Sequence, residues 1–224
     1  MESFFLNRLN EIFKDHGIAD GLGAEIANRG LRVPQVSSGK TVLFVGHNPS
    51  FRIGDQSGGE CMYCPSQKDS YFSHYFQFAE AIDQTDNWNY LDLFYYRHTE
   101  QAFTDSNSGW IPFLCRQLAV TQDIVEYLQR KIIVVCNTAA AGYWGLKASE
   151  DRTQGVWMGY NFLWDEQLGV HRIQGVAPSL GREPELETTN LMNLPVLFSG
   201  FNQYKSVYDR KRLEWHVRNI IKMI

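Results

Sequence analysis

Five consecutive residues, Gly46-His47-Asn48-Pro49-Ser50, set an imidazole, an amide and a hydroxyl around a rigid proline. A polar, rigidified loop of this kind at a strand's end is a candidate ligand site. Gly46 allows a close approach that any Cβ would block. Pro49 pushes Asn48 towards extended backbone and ends any strand there. The same features also describe an ordinary strand-ending turn. Elsewhere, Cys61 and Cys64 form a Cys-x-x-Cys pair, while Cys115 and Cys136 stand apart. Structural zinc usually wants a second close pair, so free thiols are expected, with no metal and no cofactor. His47, His98 and His171 are dispersed. No Gly-x-Ser-x-Gly elbow, Walker loop or dinucleotide fingerprint occurs.

The elements around these residues alternate between two periods. Thr41 to Val45 is a short apolar run that suits a strand buried on both faces, with the polar five at its carboxyl end. In open α/β sheets that end is where ligands sit. Tyr90 to Tyr96, Lys131 to Cys136 and Leu194 to Phe198 supply three more strands. Helical spacing marks Glu2 to His16, Ser70 to Asp83, Trp110 to Gln129 (with a break around Ala119 to Gln122) and a terminal helix capped by Asp209. Residues 17 to 40 and 51 to 65 are glycine-rich connections, the first with a short helix near Ala24 to Asn28. Strand-like pieces lie around Val156 to Leu163 and His171 to Val176. The pattern predicts a three-layer α/β/α sandwich with a central, mainly parallel four-stranded sheet. One domain is expected over residues 1–224, with residues 1–39 as an N-terminal helix and connector.

The 224 residues carry a net charge of -4, are 44% hydrophobic and 14% aromatic. No apolar run approaches the roughly 18 residues of a membrane span, and no signal-peptide pattern opens the chain. A cytoplasmic, intracellular protein is therefore expected, without a membrane partner and as a monomer. The charge is uneven. Tyr204 to Ile224 holds six Lys and Arg against two carboxylates, a net +4 that leaves -8 for the rest. Such a patch can meet phosphate on an acidic protein; a solvated helix face is the other reading.

Taken in order, these residues resemble the uracil-DNA glycosylase superfamily. Gly46-His47-Asn48-Pro49-Ser50 is similar to the Gly-x-Asn-Pro-Gly of its mismatch-specific and single-strand-selective branches, with Ser in the last place. The glycine-rich loop, the aromatic helix from Tyr71-Phe72, and the later strands and helices follow in the family's order, from about residue 40 to the end. The resemblance implies hydrolysis of the N-glycosidic bond of a deaminated or damaged base, in single-stranded or mismatched DNA. A base turned out of the stack costs a few kcal/mol to extrude and is then read by edge contacts and stacking. Asn48 would position the attacking water. His47, within the motif, is the second catalytic candidate, with a neutral histidine facing the helices as its alternative. Gly46, Pro49, Ser50, Phe51, Tyr63 and Asp92 would contact the substrate. Tyr63 is the first choice for stacking and Phe51 the second, against ordinary loop packing.

The chain departs from the family twice. Asp92 stands where Asn commonly reads the base. An ionised Asp only accepts hydrogen bonds, so it suits an amino group unless burial keeps it protonated. After the last strand, Ser199 to Ser206 lacks the family's His-Pro-Ser, and Asn202, Gln203 or Lys205 would have to donate instead. Absence of one preorganised donor typically costs about 10²–10³ in rate. A catalytically inactive member that binds nucleic acid or a nucleobase is thus the alternative function.

Overall fold

The computed structural model describes residues 2–19, 21–100, 109–138, 140–146, 157–177, 187–200 and 206–224. In chain order the elements are α1 (Ser3–Lys14), α2 (Gly21–Asn28), β1 (Leu31–Pro34), β2 (Val42–Gly46), β3 (Glu60–Tyr63), α3 (Ser70–Ala81), β4 (Trp88–Asp92), α4 (Trp110–Leu128), β5 (Ile132–Val135), α5 (Ala140–Trp144), β6 (Tyr160–Asp165), β7 (Val170–Val176), β8 (Pro195–Phe198) and α6 (Val207–Met223).

Every residue of β2 is buried. Side chains alternate across a strand, so Val42 and Phe44 enter one apolar layer and Leu43 and Val45 the other. Ile132 and Val134 against Ile133 and Val135 repeat the division on β5. The first layer packs Phe72, Tyr75 and Phe78 of α3 with Leu213, Val217 and Ile220 of α6. The second packs α1, α2, α4 and α5, through residues such as Leu9, Ile26, Phe113 and Trp144. The result is an α/β protein with helices on both faces of the sheet.

That sheet has six strands in the order β4-β2-β5-β8-β7-β6. The first four are parallel and are the four expected from the sequence. The expected four-strand limit is corrected by β7 and β6, which join antiparallel beside β8. The reason is local. Asp165 accepts from the amides of Gln167 and Leu168, and Gly169 takes φ +61°, so the chain folds straight back as a hairpin.

Other differences are equally physical. The two glycine-rich connections contain β1 and β3, which pair in parallel as a separate two-stranded sheet. α4 is continuous through Ala119 to Gln122; the Thr121 hydroxyl there bonds the carbonyls of Gln117 and Leu93 instead of breaking the helix. Ser206 caps α6, and Asp209 sits one turn inside, its amide donating to Ser206 Oγ. β4 stops at Asp92, and the buried Gln117 side chain accepts from the amides of Tyr95 and Tyr96 beyond it. Among the described residues no helix is long and apolar enough to cross a membrane.

Candidate active site

Because β2 and β4 are parallel neighbours, Gly46 and Asp92 pair at their carboxyl ends. The chain beyond each strand stays stitched to the other. Phe94 N–H donates to His47 O at 2.9 Å, and His98 N–H donates to Pro49 O at 2.9 Å. The Asn48 amide closes the seam, donating from Nδ2 to His98 O at 2.7 Å and Pro49 O at 3.1 Å. Both donors are thereby used within the protein. Asn48 Oδ1, also buried, has no hydrogen-bond partner among the described residues. Buried polar groups are nearly always satisfied, so this oxygen stands out as a candidate contact for a water or a ligand.

Asp92 is 1% exposed. Its Oδ1 accepts from Tyr90 Oη at 2.7 Å and its Oδ2 from Tyr63 Oη at 3.1 Å. Tyr90 Oη continues to Tyr71 Oη at 2.9 Å, and Tyr71 Oη to Tyr75 Oη at 3.1 Å. Four tyrosines thus gather around one carboxyl. Burial pushes the Asp92 pKa up to about 7, with the Tyr90 and Tyr63 hydroxyls and the Arg32 charge opposing the rise. Burial and the carboxyl together hold Tyr63, Tyr71 and Tyr90 well above the ordinary phenol value. Near neutrality Asp92 can therefore act as donor or acceptor.

Gly46 makes this arrangement possible. A Cβ there would lie 2.6 Å from Asp92 Oδ1 and closer still to Tyr90 Oη. Gly46→Ala is expected to lower stability by about 1–3 kcal/mol, as overpacking does, read as an earlier urea midpoint. An unchanged midpoint would show that the network yields without penalty.

A small cleft of about 60 Å³ opens here. Asn48, Pro49, Ser50, Tyr63 and Asp92 line it, so five of the residues singled out in the sequence meet. Arg32, Arg52, Asp69, Tyr71, Phe72 and Tyr90 complete the walls. Two of the named residues go elsewhere. His47 turns into the opposite layer, with its ring against Phe94 and Tyr143 at 5.3 and 5.6 Å. Burial lowers its pKa to about 4, so it is neutral at physiological pH. Phe51 is absent from the walls, and its ring carries the guanidinium groups of Arg29 and Arg97 at 4.6 and 5.0 Å. Tyr63 is engaged as well: Arg32 lies over its ring at 4.7 Å. Asn202, Gln203 and Lys205 lie outside the described residues.

Arg32, Arg52, Asp69, Tyr71, Phe72 and Tyr90 are the lining residues to which the sequence reading gives no site role. Tyr90 stands two residues before Asp92 on one strand, so the period of two already puts them on one face. Arg32 gives no local signal. It reaches the cleft because β1 pairs with β3, two residues diagonally from Tyr63. A larger groove, about 440 Å³, runs along the outer edge of β4 past Lys40, Asp86, Trp88 and Asn89, and shares only Tyr63's neighbours and Tyr90 with this region. The smaller cleft is the stronger candidate because the unpaired acceptor and the buried carboxyl with its raised pKa are there.

Cys61 and Cys64 are free and exposed. Among the described residues no group of three or more His, Cys, Asp or Glu side chains is placed to hold a metal ion. No protein-family model matches the chain, and no curated protein matches its sequence.

Proposed function

We propose that the cleft receives a deaminated or damaged base turned out of DNA and that the protein hydrolyses its N-glycosidic bond, as in the uracil-DNA glycosylase superfamily. The observation that carries the proposal is the buried, unpartnered Oδ1 of Asn48 on the same cleft as Asp92. That oxygen accepts a hydrogen from a water and aims the water's lone pair at the sugar carbon. The C–N bond breaks as the new C–O bond forms, the base leaves with the bonding electron pair, and the water's proton is released. Asp92 reads the base edge, donating to a carbonyl while protonated and accepting from an amino group once ionised. The parallel order of β4, β2, β5 and β8, with the cleft at the carboxyl ends of β2 and β4, supports the same reading. At about 60 Å³ the cleft is below the usual size of ligand sites, so its walls, the exposed Arg52 side chain first among them, have to give way as the base enters.

The direct experiment incubates single-stranded and mismatched duplex oligonucleotides carrying uracil, hypoxanthine or other lesions with the protein, and measures abasic sites after alkaline cleavage. Release from at least one lesion is expected. No release across the panel at micromolar protein would sink the catalytic reading. Lesion-selective binding without release would instead favour the inactive member that binds a nucleobase, a reading favoured by Ser199 to Ser206, which contains no histidine.

A further inference from the structure

α6 has two unlike sides. Leu213, Val217 and Ile220 are buried, as an amphipathic helix on a core requires. Opposite them, Tyr208, Arg212, Trp215, Asn219 and Lys222 follow one another at spacings of four, three, four and three, which is one helix face. Tyr208 is 78% and Trp215 67% exposed. Two large rings in water on one stripe are unusual for a surface with no partner.

The charges sort in the same way. Arg210 and Lys211 both pair with Glu214, and Arg218 pairs with Asp83. Arg212 and Lys222 are exposed and form no ion pair or hydrogen bond among the described residues. The helix therefore neutralises its flanking cations and leaves the two that alternate with the exposed rings.

We propose that this stripe is a track for single-stranded DNA, with bases stacking on Tyr208 and Trp215 and phosphates meeting Arg212 and Lys222. An apolar protein surface would match a continuous apolar patch, whereas here each ring is followed by a cation or an amide. Unstacked bases with intervening phosphates match that alternation in both shape and charge. Tyr208 and Trp215 are seven residues apart, about 10 Å along the axis, or roughly three nucleotides at stacked spacing. Eight residues separate α6 from β8, whose carboxyl end lies on the sheet edge where β2 and β4 also end. The track thus leads away from the edge that carries the cleft. The choice of DNA rests on the function proposed for that cleft; the stripe itself does not.

The test uses the full chain and a lesion-free, fluorescein-labelled oligothymidylate of about twelve nucleotides, within the usual site size. Anisotropy titrations over about 20–200 mM NaCl give affinity and salt slope. Trp215→Ala and Tyr208→Ala are each expected to weaken binding about 5- to 150-fold. Arg212→Gln and Lys222→Gln should each reduce the salt slope by about 0.7, one phosphate contact. Trp164→Ala, which removes an exposed ring on β6, is the aromatic control and should leave affinity unchanged. Urea melts of all variants keep loss of folding apart from loss of contact. No binding at the lowest salt, equal affinity in the ring variants, or tighter binding of the matching oligouridylate would overturn the proposal. A change of oligomeric state in Trp215→Ala with unchanged DNA affinity would also overturn it, since the stripe would then pair copies of the chain. The oligonucleotide carries no lesion, so a failure to release bases from damaged DNA leaves this result standing.

Discussion

Asn48→Ala is expected to reduce base release by about two to three orders of magnitude, the usual consequence of removing one preorganised catalytic group. The side chain does two jobs through different atoms. Nδ2 ties His98 O and Pro49 O, whereas Oδ1 faces no protein partner among the described residues. The alanine variant loses both functions, and the two lost hydrogen bonds should cost about 1–3 kcal/mol of stability. Asn48→Asp separates the two. Its carboxylate keeps the acceptor but cannot donate to the two carbonyls, so it should fold less stably than wild type. It should nevertheless release more base per folded molecule than Asn48→Ala. The comparison is made as single-turnover rates normalised to the folded fraction. Less than a threefold loss in Asn48→Ala would remove Asn48 from the chemistry.

The second large effect is a hidden pH dependence. Asp92 keeps its proton in the folded protein up to about pH 7, although an ordinary Asp releases it near 3.8. Its stabilisation is complete below about pH 4 and is lost as pH rises towards 7. His47 does the reverse: its folded pKa of about 4 lies below the ordinary 6.5. Its stabilisation is present above about pH 6.5 and is lost as pH falls through 4. Each slope is about 1.4 kcal/mol per pH unit, and between about pH 4 and 6.5 they oppose. Wild type is therefore expected to gain nothing net from this pair across the window. Relative to wild type, Asp92→Asn should gain roughly 3 kcal/mol as pH rises from 4 to 6.5. His47→Gln should gain a similar amount in the opposite direction. Urea denaturation at several pH values measures both differences, and groups common to all three proteins cancel. Parallel stability curves for the three would mean that neither group has the shifted affinity.

The large sheet was legible because β2 and β5 are continuous apolar runs, which is how strands covered on both faces look. β1 and β3 were not. Each has four residues, and β3 shows three exposed residues and one intermediate, so no hydrophobic period marks it. Their pairing is a tertiary fact, and the sequence offers no local trace of it. The candidate site divides along the same line. Asn48, Pro49 and Ser50 follow from a strand end and could be named; Asp92 was named through the family resemblance, within a strand expected to run on to Tyr96. Arg32 depends on the β1–β3 pairing and could not. The separation of His47 from Asn48 was within reach, because adjacent residues of an extended chain point to opposite sides.

The pairing of β1 with β3 also bears on the order in which the protein folds. These strands are 29 residues apart in register, Leu31 opposite Glu60, and the chain between them contains β2. Closing a loop of that length costs roughly 3 kcal/mol beyond a constant, more than four residue pairs offset in isolation. The small sheet gains outside support where Arg32 N–H meets Tyr95 O and where Leu31 bridges Tyr96, both just past the end of β4. Those anchors lie on the chain leaving β4, a strand held in place by its pairing with β2. Arg32 and Tyr63 are therefore expected to reach Asp92 after the central sheet has formed, which completes the cleft late. The scaffold can nucleate on its local helices and buried strands while the polar, slowly closing part of the chain waits for a surface to dock on.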